Sequence, residues 1–318
     1  MTSPTTTAPH RFCIVNCYPA ASRENFDRSD VGHPHDLFRD FLRREAPNAT
    51  TEIVYVADPD FTLPPGTSID DFDGFIWTGS DLTVYHTDDP RVAAQISFAR
   101  ALMREGAASW GSCWGIQLAS MVAGGEVAVN PRGREWGIAR DIQLTDAART
   151  SPMLAGKPAV FDAFIMHLDE VTRLPEGTPL LATNTHTPIQ AAVIEDGAAS
   201  FWSTQYHPEY NLHEMARLIA ARARALVREG HFPDEASVAT YAARMNELSA
   251  NPDSAELRTE LDVGDDIIDP HIRELELRNW LRFIDSRVGE RGRRSRDMWP
   301  AVRADRIAFV GCGAAGRW

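Results

Sequence analysis

Apolar and amphipathic segments alternate along the first 125 residues. Four short apolar runs bounded by turn residues predict buried strands, at 11–18, 51–57, 72–80 and 107–112. Segments with apolar residues three and four positions apart predict amphipathic helices, at 35–46, 89–106 and 114–125. Such alternation is typical of an α/β protein, with an open, mostly parallel sheet and helices on both faces.

Beyond residue 125 the pattern changes to short strands and turns up to residue 206, which predicts an antiparallel continuation of the same domain. Residues 211–230 predict one long closing helix. We therefore expect a disordered Thr/Pro-rich terminus at 1–10, one domain at 11–230, a helical extension at 231–286 and an Arg-rich flexible tail at 287–318.

The helical extension carries one apolar stripe, formed by Ile272, Leu275, Trp280, Leu281 and Ile284. A stripe of this kind is more often an intramolecular packing face than a partner site. The extension is nevertheless the candidate surface for a homodimer or another partner.

Composition and charge narrow the function classes. The chain of 318 residues has 43% hydrophobic and 24% charged residues, as in an ordinary globular protein. Its net charge of −13 argues against nucleic acid or an anionic membrane as partner. No apolar run approaches the roughly 20 residues that span a bilayer. The N-terminus lacks a signal-peptide pattern. The four cysteines have no spacing typical of pairs, which indicates reduced thiols. A cytoplasmic location is expected.

Cys113 stands where a predicted strand meets a predicted helix, in the stretch "SWGSCWGIQLASMVAGG". Gly111 and Gly115 allow a sharp turn, so the thiol can project from it like the nucleophile of a strand–turn–helix elbow. The adjacent helix N-terminus favours thiolate. Taken alone, Cys113 is better interpreted as a buried thiol at a turn.

His207 and Glu209 supply the partners that a cysteine nucleophile needs. They lie in "STQYHPEY", after another predicted strand, and the carboxylate two residues on could orient the imidazole. Taken alone, His207 would be interpreted as a structural histidine and "HPE" as a helix cap. Together with Cys113, each at the end of a strand, the pattern favours a Cys-His-Glu catalytic triad, because sites form at this edge of α/β sheets.

The ordered motifs GSCWGIQ, Gly-Gly and QYHPE resemble those of the class I, or triad, glutamine amidotransferase family. Further landmarks follow the same order: "WTGSDLTVYH" (77–86), "REWG" (134–137) and "MHLDEVTRLPEGTPLLATN" (166–184). The resemblance extends from about residue 11 to residue 229, and as a set these motifs are specific.

The resemblance implies a flavodoxin-like core, the triad Cys113, His207 and Glu209, and no cofactor or metal. It makes the backbone N–H of Trp114 one oxyanion donor and assigns the second to the Gly79–Ser80 loop. It also places Gln117 where it helps to hold the amide end of the substrate, and Trp136 near the α-amino and carboxylate groups of the glutamyl part.

Two departures from the family concern the pocket. Gly79-Ser80-Asp81 replaces Gly-Gly-Pro, which places a side chain beside an oxyanion donor. Trp114 and Trp136 replace smaller aromatic residues, which indicates either an altered pocket wall or a simple packing exchange.

The resemblance implies a small-molecule substrate, either glutamine or an N-substituted γ-glutamyl amide, cleaved through a γ-glutamyl thioester. Because the chain has no phosphate loop or attached synthetase, and because the pocket positions are altered, we favour a free-standing hydrolase. The alternatives are a glutaminase subunit that feeds a separately encoded synthase, docked through the C-terminal helices, and a non-catalytic regulatory or binding subunit.

Two other motifs carry less weight. Gly311, Gly313 and Gly316 match a dinucleotide-binding pattern, but no helix follows them. The scattered histidines lack zinc-ligand spacing: His33-Pro34-His35 predicts a helix entry that could rim the site, and His167 with Asp169 predicts a strand turn near the pocket.

Overall fold

The computed structural model describes residues 9–297, with side chains through residue 288. A nine-stranded sheet and a separate two-stranded sheet organise this part of the chain. The strands are β1 (Arg11–Asn16), β2 (Thr50–Tyr55), β3 (Gly74–Trp77), β4 (Ala108–Ser112), β5 (Glu126–Val129), β6 (Glu135–Leu144), β7 (Val160–His167), β8 (Asp169–Arg173), β9 (Leu180–Thr183), β10 (Ala191–Asp196) and β11 (Ala199–Thr204).

The large sheet has the order β2-β1-β3-β4-β11-β10-β9-β6-β7. Strands β2, β1, β3, β4 and β11 are parallel, whereas the four strands beyond β11 pair antiparallel. Strands β5 and β8 form the small antiparallel sheet. The prediction of a parallel half continued by an antiparallel half is confirmed.

Eleven helices accompany the strands within the described residues. They are α1 (Ala20–Arg28), α2 (Pro34–Glu45), α3 (Pro90–Arg104), α4 (Trp114–Val122), α5 (Leu212–Ala221), α6 (Ala223–Arg228), α7 (Glu235–Ala250), α8 (Ala255–Leu261), α9 (Asp265–Ile268), α10 (Pro270–Arg273) and α11 (Leu275–Asp297). Three short 3₁₀ turns lie at Ile69–Asp71, Asp146–Thr150 and Pro152–Leu154.

Both faces of the parallel half are covered. Helices α3 and α4 bury their apolar residues against one face. Helices α2 and α11 cover the other, where α11 contributes Leu277, Trp280 and Ile284. Helices α5, α7 and α8 pack against β7 in a third cluster. Trp280, Leu281 and Ile284 of the predicted stripe therefore form an intramolecular packing face. Ile272 and Leu275 of the same stripe are only half-buried.

Two close contacts fix α11 on the domain. A Cβ added to Gly74 would lie 2.8 Å from a ring carbon of Trp280, so glycine allows the helix to approach the sheet. The buried Lys157 ammonium contacts both carboxylate oxygens of Glu276, at 3.1 and 2.8 Å. Hydrophobic clusters thus cross the boundary predicted at residue 230.

Four expectations need correction. The single helix predicted over 211–230 is divided at Arg222, whose φ of −97° and ψ of 8° end α5. Helix α1 was not predicted, because Phe26 is its only buried residue. Helix α11 continues to Asp297, past the boundary predicted at 286, and the Arg287 guanidinium there donates to the carbonyls of Ala198 and Gly106. Of the terminus predicted as disordered at 1–10, residues 1–8 lie outside the described residues, as does the glycine motif at 311–316. His10 is instead held in place, with its Nδ1 3.3 Å from the Asp73 Oδ2 and its Nε2 2.7 Å from the Asp285 Oδ1.

Candidate active site

Cys113 occupies a sharp turn between β4 and α4. Its φ of 54° and ψ of −94° are strained for a residue with a side chain. Its N–H donates to the Thr204 carbonyl at 2.7 Å, which ties the turn to β11. A Cβ on Gly111 would lie 2.7 Å from the Gly115 Cα, so only glycine permits this approach. The predicted elbow is present, and the thiol lies at the N-terminus of α4.

His207 and Glu209 form a buried pair just after β11. The His207 Nδ1 is 2.7 Å from the Glu209 Oε1. The His207 backbone N–H donates to the Phe164 carbonyl at 2.7 Å, which fixes the position of the ring. The carboxylate thus holds the imidazole by Nδ1 and leaves Nε2 for the thiol, the arrangement that a Cys-His-acid triad requires.

Ser112 holds the Glu209 carboxylate in place. Its hydroxyl donates to the Glu209 Oε2 at 2.8 Å and accepts a hydrogen bond from the Trp110 indole at 3.2 Å. Both carboxylate oxygens of Glu209 therefore have partners, as a buried carboxylate needs. The sequence analysis did not identify Ser112, although it directly precedes Cys113.

Electrostatics favour a protonated His207. Burial acts to lower its pKa, but the Glu209 carboxylate and the neighbouring Cys113 outweigh burial and raise the pKa to about 10. An imidazolium beside a cysteine stabilises the thiolate form of that cysteine. A protonated His207 can therefore donate a proton to a group bound beside Cys113.

A cavity of about 170 Å³ opens over Cys113 and His207. This is smaller than the roughly 300–1,000 Å³ of sites for drug-sized ligands, so it suits a small metabolite. The residues that line it are Tyr18, Ser80, Asp81, Leu82, Thr83, Cys113, Gln117, Arg134, Met166, His167, Leu168, Asp169, His207, Tyr210, Leu218 and Arg222.

The Gly79–Ser80 loop borders this cavity. A Cβ on Gly79 would lie 3.3 Å from the His207 Cε1, so the loop backbone runs close to the His207–Glu209 pair. The Ser80 hydroxyl donates to the Cys17 carbonyl at 3.0 Å and accepts from the Leu82 N–H at 3.2 Å. The side chain that departs from the family pattern is thus bonded to backbone groups of the loop and its neighbour.

Gln117 lies one turn into α4 and lines the cavity. Its side-chain nitrogen donates to the Asp169 carbonyl at 2.7 Å. This bond ties the helix to the turn between β7 and β8, which forms the opposite wall.

The two tryptophans lie away from the cavity lining. Trp114 is 1% exposed and belongs to the hydrophobic core. The Trp136 ring packs against His231, Phe232 and Tyr241, with centroids 5.5, 4.9 and 5.9 Å away. The packing explanation therefore accounts for both, and the placement of Trp136 beside the substrate does not hold for its side chain.

A second histidine–glutamate pair lies next to the cavity. His167 Nδ1 is 2.9 Å from the Asp169 carbonyl and Nε2 is 3.1 Å from the Glu135 Oε2. Asn184, Thr187 and Gln190 also donate to the Glu135 carboxylate. Burial opposes ionisation of Glu135, but these bonds outweigh it and lower its pKa. The predicted turn-holding role of His167 and Asp169 agrees with these bonds.

The remaining histidines do not build a metal site. No cluster of three His, Cys, Asp or Glu residues suited to a metal ion occurs within residues 9–288. His33 is the N-cap of α2, as the helix-entry prediction required. His33 and His35 line a separate surface pocket beside α1, so they do not rim the Cys113 cavity.

Three further cavity residues escaped the sequence analysis. Tyr18 follows β1, Tyr210 follows the HPE motif and Arg222 lies at the break between α5 and α6. Position after a strand end was an available signal for both tyrosines. Nothing in the periodic sequence around Arg222 marked it.

Comparisons with known proteins agree with this geometry. The sequence model of the family "Glutamine amidotransferase class-I" matches residues 52–224. A γ-glutamyl-L-1-hydroxyisopropylamide hydrolase from Pseudomonas sp. is 34% identical over 86% of this chain and 92% of its own length. A glutamine-hydrolyzing GMP synthase from Symbiobacterium thermophilum is 33% identical, over 43% of this chain and 24% of its own length.

Solved structures share the fold. A glutamine amidotransferase from Thermotoga maritima superposes with a TM-score of 0.61 at 15% identity, over 87% of this chain and 99% of its own. A glutamine amidotransferase from Methylobacillus flagellatus gives a TM-score of 0.53 at 21% identity, over 69% and 78%. At these identities the likeness concerns the fold alone.

Proposed function

The chain belongs to the class I glutamine amidotransferase family, and on that premise we propose that it is a cysteine-dependent hydrolase of γ-glutamyl amides. The observation that carries the proposal is the cavity in which the elbow cysteine Cys113 meets the His207–Glu209 pair, at 2.7 Å between ring and carboxylate. The substrate is an N-substituted γ-glutamyl amide, and the products are glutamate and the free amine.

The first half of the reaction forms a thioester. The Cys113 thiolate adds to the side-chain amide carbonyl, and the resulting oxyanion accepts hydrogen bonds from the Trp114 N–H and the Gly79–Ser80 loop. His207 then transfers its proton to the amide nitrogen. The carbon–nitrogen bond breaks, the neutral amine leaves, and a γ-glutamyl thioester remains on Cys113.

The second half releases glutamate. Neutral His207 takes a proton from water as the water oxygen attacks the thioester carbonyl. The carbon–sulfur bond breaks and the thiolate is restored beside the imidazolium. Throughout, Glu209 holds Nδ1 and stabilises the positive charge on the ring.

The share of each relative's length that aligns with this chain favours a free-standing hydrolase over a glutaminase subunit. The Pseudomonas hydrolase aligns over most of both chains, including the C-terminal extension, whereas the synthase aligns over a quarter of its length. The glutaminase reading rests on that shorter alignment and remains the second candidate. A non-catalytic role is disfavoured, because a regulatory subunit has no need of an aligned cysteine, histidine and carboxylate.

Location and partners belong to the same proposal. None of the helices within residues 9–297 is long and apolar enough to cross a bilayer. Cys13, Cys17 and Cys113 are free thiols, which supports a reducing compartment, the cytoplasm. A homodimer or a synthase would use outer faces of the extension, because the apolar stripe of α11 packs on the sheet.

The decisive assay measures glutamate release from glutamine and from a panel of alkyl, aryl and amino-acid γ-glutamyl amides. Cys113→Ala serves as the blank. Faster turnover of a substituted amide than of glutamine supports the hydrolase, and slow turnover of glutamine alone would favour the glutaminase subunit. Absence of any Cys113-dependent glutamate would overturn both.

Thiol labelling gives an independent check. Burial raises the pKa of Cys13 to about 12 and that of Cys17 further. Iodoacetamide at neutral pH should therefore modify Cys113 well before these two core thiols. Equal labelling rates at the three positions would contradict an activated Cys113.

A further inference from the structure

Building on the proposed hydrolase function, we propose that the leaving amine carries a carboxylate group, which Arg222 binds together with the hydroxyls of Tyr18 and Tyr210. The substrate class is then the γ-glutamyl amides of amino acids. The structural basis is a set of hydrogen-bond donors on the cavity wall that have no acceptor.

Arg222 is the central donor. Its guanidinium lines the cavity, and it forms no side-chain hydrogen bond or ion pair with any described residue. Arg134 lines the same cavity but donates to both Glu229 carboxylate oxygens, at 2.7 and 3.1 Å. A guanidinium matches a carboxylate in a two-point bond, and of the two arginines only Arg222 has its side chain available for one.

Two buried phenols extend this donor surface. Tyr18 is 8% exposed and Tyr210 is 2% exposed, and both line the cavity. Neither hydroxyl makes a hydrogen bond within the part of the chain that the structure describes. Burial raises the pKa of Tyr18 and of Tyr210, so both remain protonated donors. Neither hydroxyl oxygen is fully buried, so each can donate a hydrogen bond to an acceptor on a ligand in the cavity.

The two phenols lie close to the His207 ring. The Tyr210 ring meets the His207 ring edge-on, with centroids 4.9 Å apart. The point that a Gly79 Cβ would occupy is 3.2 Å from the Tyr18 hydroxyl and 3.3 Å from the His207 Cε1. Since His207 protonates the departing nitrogen, the amine leaves along this wall, and Leu218 offers it an apolar contact.

The cavity's own carboxylates do not neutralise Arg222. Asp81 accepts a hydrogen bond from the Ser22 hydroxyl at 2.7 Å, and Asp169 accepts one from the Tyr85 hydroxyl at 3.2 Å. A ligand carboxylate, with about four acceptor sites, can satisfy a guanidinium and two phenols together. A single hydroxyl group cannot.

A matched substrate series tests this assignment. The γ-glutamyl amides of isopropylamine, of 2-aminopropan-1-ol and of L-alanine share one carbon skeleton and end in methyl, hydroxymethyl and carboxylate. We expect kcat/KM to be highest for the alanine amide, by at least about tenfold over the isopropylamide, the size of one hydrogen bond to a charged group. Arg222→Met should remove most of that preference, and Arg222→Lys should restore part of it.

Arg100→Met is the control, because Arg100 is exposed on α3 and does not line the cavity. This variant should keep the wild-type preference, and denaturation midpoints should show that all variants fold. Equal losses on all three substrates in Arg222→Met would place Arg222 at the glutamyl half and overturn the inference. A wild-type preference for the methyl or hydroxymethyl amide would also overturn the inference. Failure to hydrolyse any member would overturn the proposed function itself.

Discussion

Two buried histidine–glutamate pairs border the same cavity and behave differently. His207 and Glu209 are 2.7 Å apart, and His167 and Glu135 are 3.1 Å apart. Both histidines lie just after or at the end of a strand, and both carboxylates are buried. By residue type, burial and distance alone, either pair could be taken for the base and acid of a triad.

The other hydrogen bonds of the two histidines distinguish one pair from the other. Both ring nitrogens of His167 are engaged, one by Glu135 and the other by the Asp169 carbonyl. His207 uses Nδ1 for Glu209, and its ring also interacts with the Cys113 side chain. A histidine can transfer protons only through a nitrogen that the fold leaves available. The comparison therefore favours His207 and Glu209 as the pair that acts in the proposed reaction, and His167 and Glu135 as structural support.

The same substitution in each pair should give the largest contrast. We expect Glu209→Gln to lower kcat on a γ-glutamyl amide by about 10³–10⁴-fold, because the imidazolium loses its counter-charge and its fixed orientation. We expect Glu135→Gln to lower kcat less than about tenfold, while the free energy of unfolding falls by about 2–4 kcal/mol. Steady-state kinetics and denaturant unfolding measure both effects. Similar kcat losses in the two variants would break the comparison.

The His207–Glu209 pair should lose its contribution to folding stability at alkaline pH, and the His167–Glu135 pair should lose its contribution at acid pH. The pKa of His207 is raised to about 10, so its contribution to stability is complete below its ordinary pKa of 6.5 and is lost as the pH rises through 10. The pKa of Glu135 is lowered, so its contribution is present above its ordinary pKa of 4.5 and is lost as the pH falls through the folded value.

Chemical denaturation between pH 3 and pH 10.5 would measure this. Relative to the wild type, His207→Gln should flatten the alkaline loss of stability and Glu135→Gln the acid loss. An unchanged alkaline limb in His207→Gln would contradict a protonated resting His207.

Ser112 offers a smaller, graded test of the catalytic pair. Ser112→Ala removes the 2.8 Å hydrogen bond to Glu209 but keeps the carboxylate. We expect kcat to fall about tenfold, the cost of one hydrogen bond to a charged group. Ser203→Ala is a matched control, because Ser203 is equally buried but donates to the Ala192 carbonyl, away from the triad. A Ser112→Ala enzyme with wild-type kcat would show that Glu209 needs no second support.

The smallest effect is expected at Trp136, the neighbour of Glu135. Because successive side chains of a strand point to opposite faces, Glu135 faces the His167 network and the Trp136 ring packs with Phe232 and Tyr241. Trp136→Phe should keep KM within about twofold, as for substitutions away from a site. A KM that rises more than tenfold would return Trp136 to the substrate pocket.

These contrasts show what the sequence could and could not supply. The parallel strands and helices α2 to α4 were predictable because each has a clear apolar pattern between turn residues. The candidate triad was predictable because its members follow strand ends. The break at Arg222 was not, since the apolar period runs through it without Gly or Pro. Which histidine keeps a free nitrogen depends on bonds between distant strands, which no local pattern encodes.

The position of α11 has a consequence for synthesis on the ribosome. This helix covers Phe12, Ile14 and Ile76 on strands made early, yet its contact residues Trp280 and Ile284 are made late. At a synthesis rate of about 5–20 residues per second, α11 would be made roughly 10–35 s after β4. During this interval α2 can cover part of this face, but the apolar residues that α11 later contacts stay exposed.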